Sequence, residues 1–69
     1  MEKVTLLWPA SAEIPNSKMF TKEYFLLLDE WKAIKKEKYG LDSYQEIREN
    51  YIYNRDNKHI GVMVTWTKY

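Results

Sequence analysis

The chain has 69 residues, of which 45% are hydrophobic, 16% aromatic and 30% charged, and it contains no cysteine. This composition excludes an intrinsically disordered chain, which has few aromatic residues, and a secreted domain held together by disulfides. The lack of cysteine also excludes zinc ribbons, iron–sulfur clusters and thiol chemistry. The length predicts a single domain, 1–69, whose core is too small to enclose a large cofactor.

Charge and hydropathy narrow the range of partners. Eleven Lys and Arg residues oppose ten Asp and Glu residues, which leaves a formal net charge of +1. A dedicated binder of the phosphate backbone carries a clear positive excess, and a DNA mimic carries a clear negative one. The longest apolar runs, Leu6 to Ala10 and Tyr24 to Leu28, have five residues each, whereas a membrane span needs about 20 and a signal peptide core about 7 to 15. We therefore expect a cytoplasmic chain without a targeting segment and without a membrane partner.

The N-terminal part predicts a strand followed by a connection. Residues 3–8 alternate between two faces, and Pro9 ends the strand because proline cannot donate to a sheet ladder. The connection, 10–20, is long for so small a domain. Its polar residues precede a helix and weakly indicate a site for a small anion, whereas a polar loop that ends in a helix cap is the simpler interpretation. These residues are Ser11, Asn16, Ser17 and Lys18.

A helix from Thr21 to Tyr39 is the clearest pattern in the chain. Apolar residues recur at spacings of three and four, which predicts one stripe that packs against a core. Thr21 or Ser17 is placed to cap the first turn, and Gly40 is the expected left-handed residue after the last turn. The predicted stripe consists of Phe20, Tyr24, Leu27, Leu28, Trp31 and Ile34.

The C-terminal half predicts a hairpin. Two β-rich runs flank the turn-rich segment Asn54–Lys58, and the second run, Ile60–Tyr69, is a long alternating strand. A two-residue turn at 56–57 pairs Tyr51 with Val62, Ile52 with Gly61 and Tyr53 with Ile60. The segment 43–49 has two interpretations, because its first residues resemble a helix capping box and the hairpin strand can also begin there.

These elements predict an α+β domain of two layers in the order β-α-β-β. One amphipathic helix packs on a three-stranded, mainly antiparallel sheet that ends in the C-terminal hairpin. Strict alternation assigns the helix-covered face to Val4, Leu6, Trp8, Tyr51, Tyr53, Ile60, Val62, Val64 and Trp66. It assigns the opposite face to Thr5, Leu7, Arg48, Asn50, Ile52, Met63, Thr65, Thr67 and Tyr69.

The uncovered sheet face is the first functional hypothesis. One helix covers only one face, and contiguous apolar area on the other face is typical of an interface. An ordinary solvated sheet face is the simpler alternative. We predict a non-catalytic binding or regulatory module, in the class of small inhibitors of larger proteins, whose partner is another protein or a second copy of the chain. The predicted interface residues are Leu7, Arg48, Ile52, Met63, Thr65 and Tyr69.

Nucleic-acid binding is the alternative hypothesis. Basic residues cluster near the end of the predicted helix with an aromatic residue beside them, and the hairpin carries further basic residues. Lysines at a helix C-terminus also compensate the helix dipole, and acidic residues dilute the positive charge. The candidate contacts are Lys32, Lys35, Lys36, Lys38 and Tyr39.

No catalytic or metal-binding constellation is recognisable. The single histidine, His59, lies beside the predicted hairpin turn, where a solvated surface position is expected. One His with scattered carboxylates provides no metal-ligand spacing, and the glycine motifs that bind phosphate are missing. We therefore expect no enzymatic activity, no cofactor and no metal.

Overall fold

The predicted helix and three strands are all present in a computed structural model of the protein, which describes residues 1–69. The sheet has the strand order β1-β3-β2, and both strand pairs are antiparallel. The main helix packs on one face of this sheet, which confirms the predicted α+β class. The elements are β1 Glu2–Trp8, α1 Ala10–Glu13, a 3-10 turn at Asn16–Lys18, α2 Lys22–Lys38, β2 Glu46–Tyr53 and β3 His59–Lys68.

Both ends of α2 follow the predicted capping signals. Thr21 has extended backbone, and its side-chain oxygen accepts a hydrogen bond from the N–H of Tyr24 at 3.4 Å. Gly40 has a φ of +62°, and the N–H of Leu41 donates to the carbonyl of Lys36 at 2.9 Å. This left-handed ending satisfies carbonyl groups of the last turn and directs Leu41 into the core.

The inward face of α2 is narrower than the predicted stripe. Tyr24 and Leu28 are buried and Trp31 is partly buried, whereas Leu27 is 36% exposed and Ile34 is 61% exposed. A helix turns by about 100° per residue, so Leu27 and Ile34 lie on one flank rather than towards the sheet. A sheet of three strands is too narrow to cover that flank as well.

The connection 10–20 is not the irregular loop that we predicted. It contains α1 and a 3-10 turn, and α1 places Ala10 and Ile14 against β3 and the core. These two residues close the end of the core near Trp8, which makes an edge-to-face contact with Tyr24 at a centroid distance of 5.2 Å. The buried apolar core is formed by Trp8, Ala10, Ile14, Tyr24, Leu28, Leu41, Val62, Val64 and Trp66.

The hairpin has the predicted register over most of its length. Strand β2 begins at Glu46, so the segment 43–49 does not form a helix. Tyr53 pairs with His59 and not with Ile60, because a β-bulge follows Ile52, and the connection 54–58 is longer than the predicted two-residue turn. The other predicted pairs, Tyr51 with Val62 and Ile52 with Gly61, are confirmed.

The bulge changes which side chains reach the core. Because β3 has one additional residue at Ile60, His59 takes the position on the helix side of the sheet and is buried. Tyr51 and Tyr53 also lie on that side, but both are half-exposed, since α2 does not extend over the edge strand β2. The prediction that Tyr51 and Tyr53 point to the helix side of the sheet is therefore correct, but the prediction that the helix covers them is wrong.

Candidate interaction surface

The sheet face opposite α2 carries the predicted interface residues. On the central strand β3, Met63 lies opposite Leu7 of β1, and Thr65 lies opposite Arg48 of β2. Ile52 occupies the same face of β2, four residues after Arg48 along the strand. The structure thus brings these five predicted residues together on one surface, which we call the open face.

One half of the open face is apolar. Leu7 is 54% exposed and Met63 is 37% exposed, and the two side chains form a cross-strand pair. Gly61 lies between Leu7 and Ile52, and a Cβ added at Gly61 would be only 3.2 Å from Leu7 Cδ1. The glycine therefore lets Leu7 extend over the central strand, so that Leu7, Met63 and the partly buried Ile52 form a continuous patch.

The other half is a polar network centred on Glu46. The hydroxyl of Tyr69 donates to Glu46 Oε2, and Arg48 Nε donates to Glu46 Oε1 at 3.1 Å. The hydrogen bond from Tyr69 and the adjacent guanidinium of Arg48 lower the pKa of the Glu46 carboxyl. The same hydrogen bond raises the pKa of the Tyr69 hydroxyl. The cleft of this network, of about 270 Å³, is lined by Lys3, Glu46, Arg48, Asn50, Thr65, Thr67 and Tyr69.

Two residues of this network were not predicted from the sequence. Lys3 was assigned only to the strand, although its alternation with Leu7 places it on the open face. Glu46 was not placed, because the segment 43–49 had two interpretations and only a strand orients its side chain. The strand interpretation of 43–49 places Glu46 on this face, and the alternation along β1 alone places Lys3 there.

The lysines of the alternative hypothesis are engaged by neighbouring side chains. Lys32 Nζ lies 3.2 Å from a carboxylate oxygen of Asp29 and 3.2 Å from one of Glu49. Lys36 Nζ lies 4.0 Å from Asp42. These carboxylates offset the charge of two of the four predicted phosphate contacts.

The remaining two lysines lie against aromatic rings. Lys35 Nζ is 5.9 Å from the ring centroid of Trp31, and Lys38 Nζ is 5.5 Å from that of Tyr39. Tyr39 is thus close to a basic group, as the alternative hypothesis requires. A base that stacks on the face of the ring covered by Lys38 would have to displace this lysine of the same chain.

A second cleft, of about 370 Å³, lies near the beginning of β3. Its wall includes His59, which is only 6% exposed and whose Nε2 lies 2.7 Å from the Tyr24 hydroxyl oxygen. The expected solvated position of His59 is therefore wrong. Phe20, predicted as part of the helix stripe, precedes α2 with a φ of +61° and packs its ring on His59 at a centroid distance of 4.8 Å. The cleft is lined by Asn16, Met19, Phe20, Tyr53, Asn57, Lys58 and His59.

Neither a search for other kinds of site nor a comparison with known proteins assigns a function to the chain. No group of three or more His, Asp or Glu side chains is arranged to hold a metal ion. None of the helices combines the length and the apolar composition that crossing a membrane requires. No protein-family model, no curated protein and no solved structure matches the chain. Function is therefore inferred from the geometry of the surface.

Proposed function

We propose that the protein is a small non-catalytic binding module whose open face contacts a partner protein. The observation that supports this function best is the exposed pair Leu7 and Met63 beside the hydrogen-bonded side chains of Arg48, Glu46 and Tyr69. Protein interfaces combine an apolar centre with a polar rim, and Arg and Tyr are frequent anchors. The open face has both features on one sheet.

The chemistry of the open face indicates what the partner presents. Leu7 and Met63 would pack against one apolar side chain, or a short apolar segment, of the partner. Arg48 uses its Nε–H for Glu46, and its terminal N–H groups can donate to a carboxylate or a carbonyl of the partner. The partner is a larger protein, and by covering one of its surfaces this small module would act as its regulator or inhibitor.

Nucleic-acid binding is less well supported as the alternative function. Lys32 and Lys36 are paired with carboxylates, and the formal net charge of the chain is only +1. Binding of phosphates releases counterions and is therefore strongly salt-dependent. An association that is insensitive to salt and nuclease would argue for the protein partner.

Affinity capture from a native lysate with three tagged variants tests the proposed function. Met63→Lys places a charge in the apolar half, and Leu26→Lys is the matched control, because Leu26 is 54% exposed on the solvent side of α2. We expect the wild type and Leu26→Lys to recover the same protein in a constant ratio, with or without nuclease. Met63→Lys should lose it while its thermal unfolding stays cooperative. Equal recovery with Met63→Lys would contradict the proposed surface, and loss on nuclease treatment would favour nucleic acid.

A further inference from the structure

The second cleft, near the beginning of β3, has the composition of a small-molecule site. Its volume of about 370 Å³ is within the usual range of such sites. Its apolar wall consists of Met19, Phe20 and Tyr53, and the rings of Phe20 and Tyr53 are half-exposed. Small-molecule sites combine an apolar, aromatic wall with a few polar groups that orient the ligand. The wall of this cleft offers a surface on which a flat ring can pack.

The aromatic wall is built around the buried His59. The ring of Phe20 lies 4.8 Å from the His59 ring between centroids, and the ring of Tyr53 lies 5.4 Å from it. The His59 ring is in turn held by its hydrogen bond to the hydroxyl of Tyr24. The three side chains that line the cleft therefore form one contiguous aromatic surface, whose central ring is buried and hydrogen-bonded.

Unusual backbone geometry coincides with this cleft. Phe20 and Asn57 are the two non-glycine residues of the chain with a left-handed backbone, each with a φ of +61°, and both line the cleft. Such a backbone is rare for a bulky side chain such as that of Phe20. Residues in sparsely populated backbone regions cluster at ligand-binding sites. The backbone therefore indicates the same place as the cavity and the aromatic wall.

The polar rim of the cleft favours a negatively charged ligand. The rim consists of Asn16, Asn57 and Lys58, and no Asp or Glu residue lines the cleft. Lys58 forms no ion pair, and the side-chain amides of Asn16 and Asn57 form no hydrogen bond within the protein. An ammonium group and two amide groups are donors to a carboxylate. A cationic ligand, which aromatic rings also attract, would be repelled by Lys58.

We propose that the second cleft binds a small aromatic carboxylate, whose ring packs on Phe20 and Tyr53 and whose carboxylate lies against Lys58. The connection 10–20 contributes Asn16 to the polar rim, whereas its other polar residues, Ser11, Ser17 and Lys18, do not line the cleft. The anion is thus bound between this connection and the hairpin loop. The site is separate from the open face, because Tyr53 and His59 lie on the helix side of the sheet.

An NMR titration with benzoate near neutral pH tests the site. His59 is the single histidine of the chain, so its ring signals report on the cleft without overlap from a second histidine. We expect a saturable shift of these signals. Benzyl alcohol lacks the charge and cyclohexanecarboxylate lacks the flat ring, so each should bind about threefold more weakly or worse. No saturable shift with benzoate, or equal affinity for all three compounds, would overturn the proposal.

Two variants test the charge and the ring separately. Lys58→Gln should weaken benzoate binding about threefold and leave benzyl alcohol binding unchanged, since it removes only the ion pair. Lys18→Gln is the matched control and should bind benzoate normally, because Lys18 lies in the same 3-10 turn as Asn16 but outside the cleft. Phe20→Gly removes the ring while glycine keeps the left-handed backbone, and it should abolish the saturable shift.

The outcomes of these variants are distinct from those of the proposed function. Equal losses with Lys58→Gln and Lys18→Gln, or an unchanged benzoate affinity in Phe20→Gly, would overturn the site. Thermal unfolding checks that each variant is folded, and Lys58→Gln keeps the test decisive if Phe20→Gly is not, since Lys58 is exposed. Met63→Lys should bind benzoate as the wild type does, so a failure of the open face and a failure of the second cleft can be told apart.

Discussion

The hydroxyl oxygen of Tyr24 lies 2.7 Å from Nε2 of His59, and this hydrogen bond joins the first turn of α2 to the first residue of β3. Both side chains are buried, and both rings contact Phe20. Burial raises the pKa of Tyr24 to about 12, so its hydroxyl stays protonated under ordinary conditions. Burial also lowers the pKa of His59, although a backbone interaction with Ile52 opposes this shift in part. The neutral imidazole is therefore the form that the fold prefers.

The first prediction is a loss of stability in mild acid. The folded pKa of His59 lies below its ordinary value of 6.5, so the unfolded chain binds more protons in the window below that pH. The contribution of the neutral His59 side chain to the free energy of unfolding is therefore fully present above pH 6.5. It is lost as the pH falls from 6.5 to and through the folded pKa. Urea unfolding at a series of pH values measures the slope. His59→Gln should remove the decrease between the two pKa values, and an unchanged slope in this variant would assign it to another group.

The second prediction concerns the hydroxyl of Tyr24. Tyr24→Phe leaves Nε2 of the buried His59 without a partner, which should cost about 1–3 kcal/mol of unfolding free energy. Tyr51→Phe is the matched control, because Tyr51 is half-exposed and its ring also contacts His59, at a centroid distance of 5.6 Å. Its effect should stay within about 0.5 kcal/mol. Equal losses in the two variants would show that the hydrogen bond does not stabilise the fold.

The helix, the hairpin and the two faces of the sheet were predictable because their signals are local. Thr21 and Gly40 mark the ends of α2 through their own capping chemistry, and the alternation along β3 from Gly61 to Thr67 is uninterrupted. The positions of Leu7, Met63 and the other open-face residues follow from that alternation. Their contact with a partner stays a prediction.

The position of His59 was not predictable from the same rules. Alternation carried back from Val62 places His59 on the open face, and only the bulge at Ile60 reverses this orientation.

The predicted burial of Leu27 and Ile34 on α2 is wrong for a different reason. Helical spacing defines a stripe, but the width of the sheet beneath the helix decides how much of that stripe is covered.

The third prediction concerns the loop between β2 and β3. The Asn54 Oδ1 accepts hydrogen bonds from the N–H groups of Asp56 and Lys58, at 2.9 and 3.0 Å, and Asn57 has a φ of +61°. Asn54→Ala removes both bonds and should cost about 1–2 kcal/mol. Asn57→Ala should cost about 1 kcal/mol, since alanine tolerates the left-handed region poorly, whereas Asn57→Gly should be neutral or stabilising. Thermal unfolding compares these variants, and equal stability of Asn57→Ala and Asn57→Gly would contradict the left-handed turn.

The fourth prediction separates two glycines that are needed for different reasons. A Cβ at Gly61 would lie 2.8 Å from the carbonyl oxygen of Trp8, whereas one at Gly40 meets nothing within 4 Å but has a φ of +62°. Gly61→Ala should cost about 1–3 kcal/mol, because a backbone oxygen can yield only if β1 moves away from β3. Gly40→Ala should cost about 1–2 kcal/mol through backbone strain.

Asparagine substitutions distinguish the two causes. Asn tolerates left-handed backbone, so Gly40→Asn should recover most of the stability that Gly40→Ala loses. Gly61→Asn adds volume to a position without space and should be less stable than Gly61→Ala. Urea unfolding measures all four variants, and a fully stable Gly61→Ala would contradict the close approach of β1. Because the added methyl group also displaces Leu7, Gly61→Ala should weaken capture of a partner by the open face, whereas Gly40→Ala should leave it unchanged.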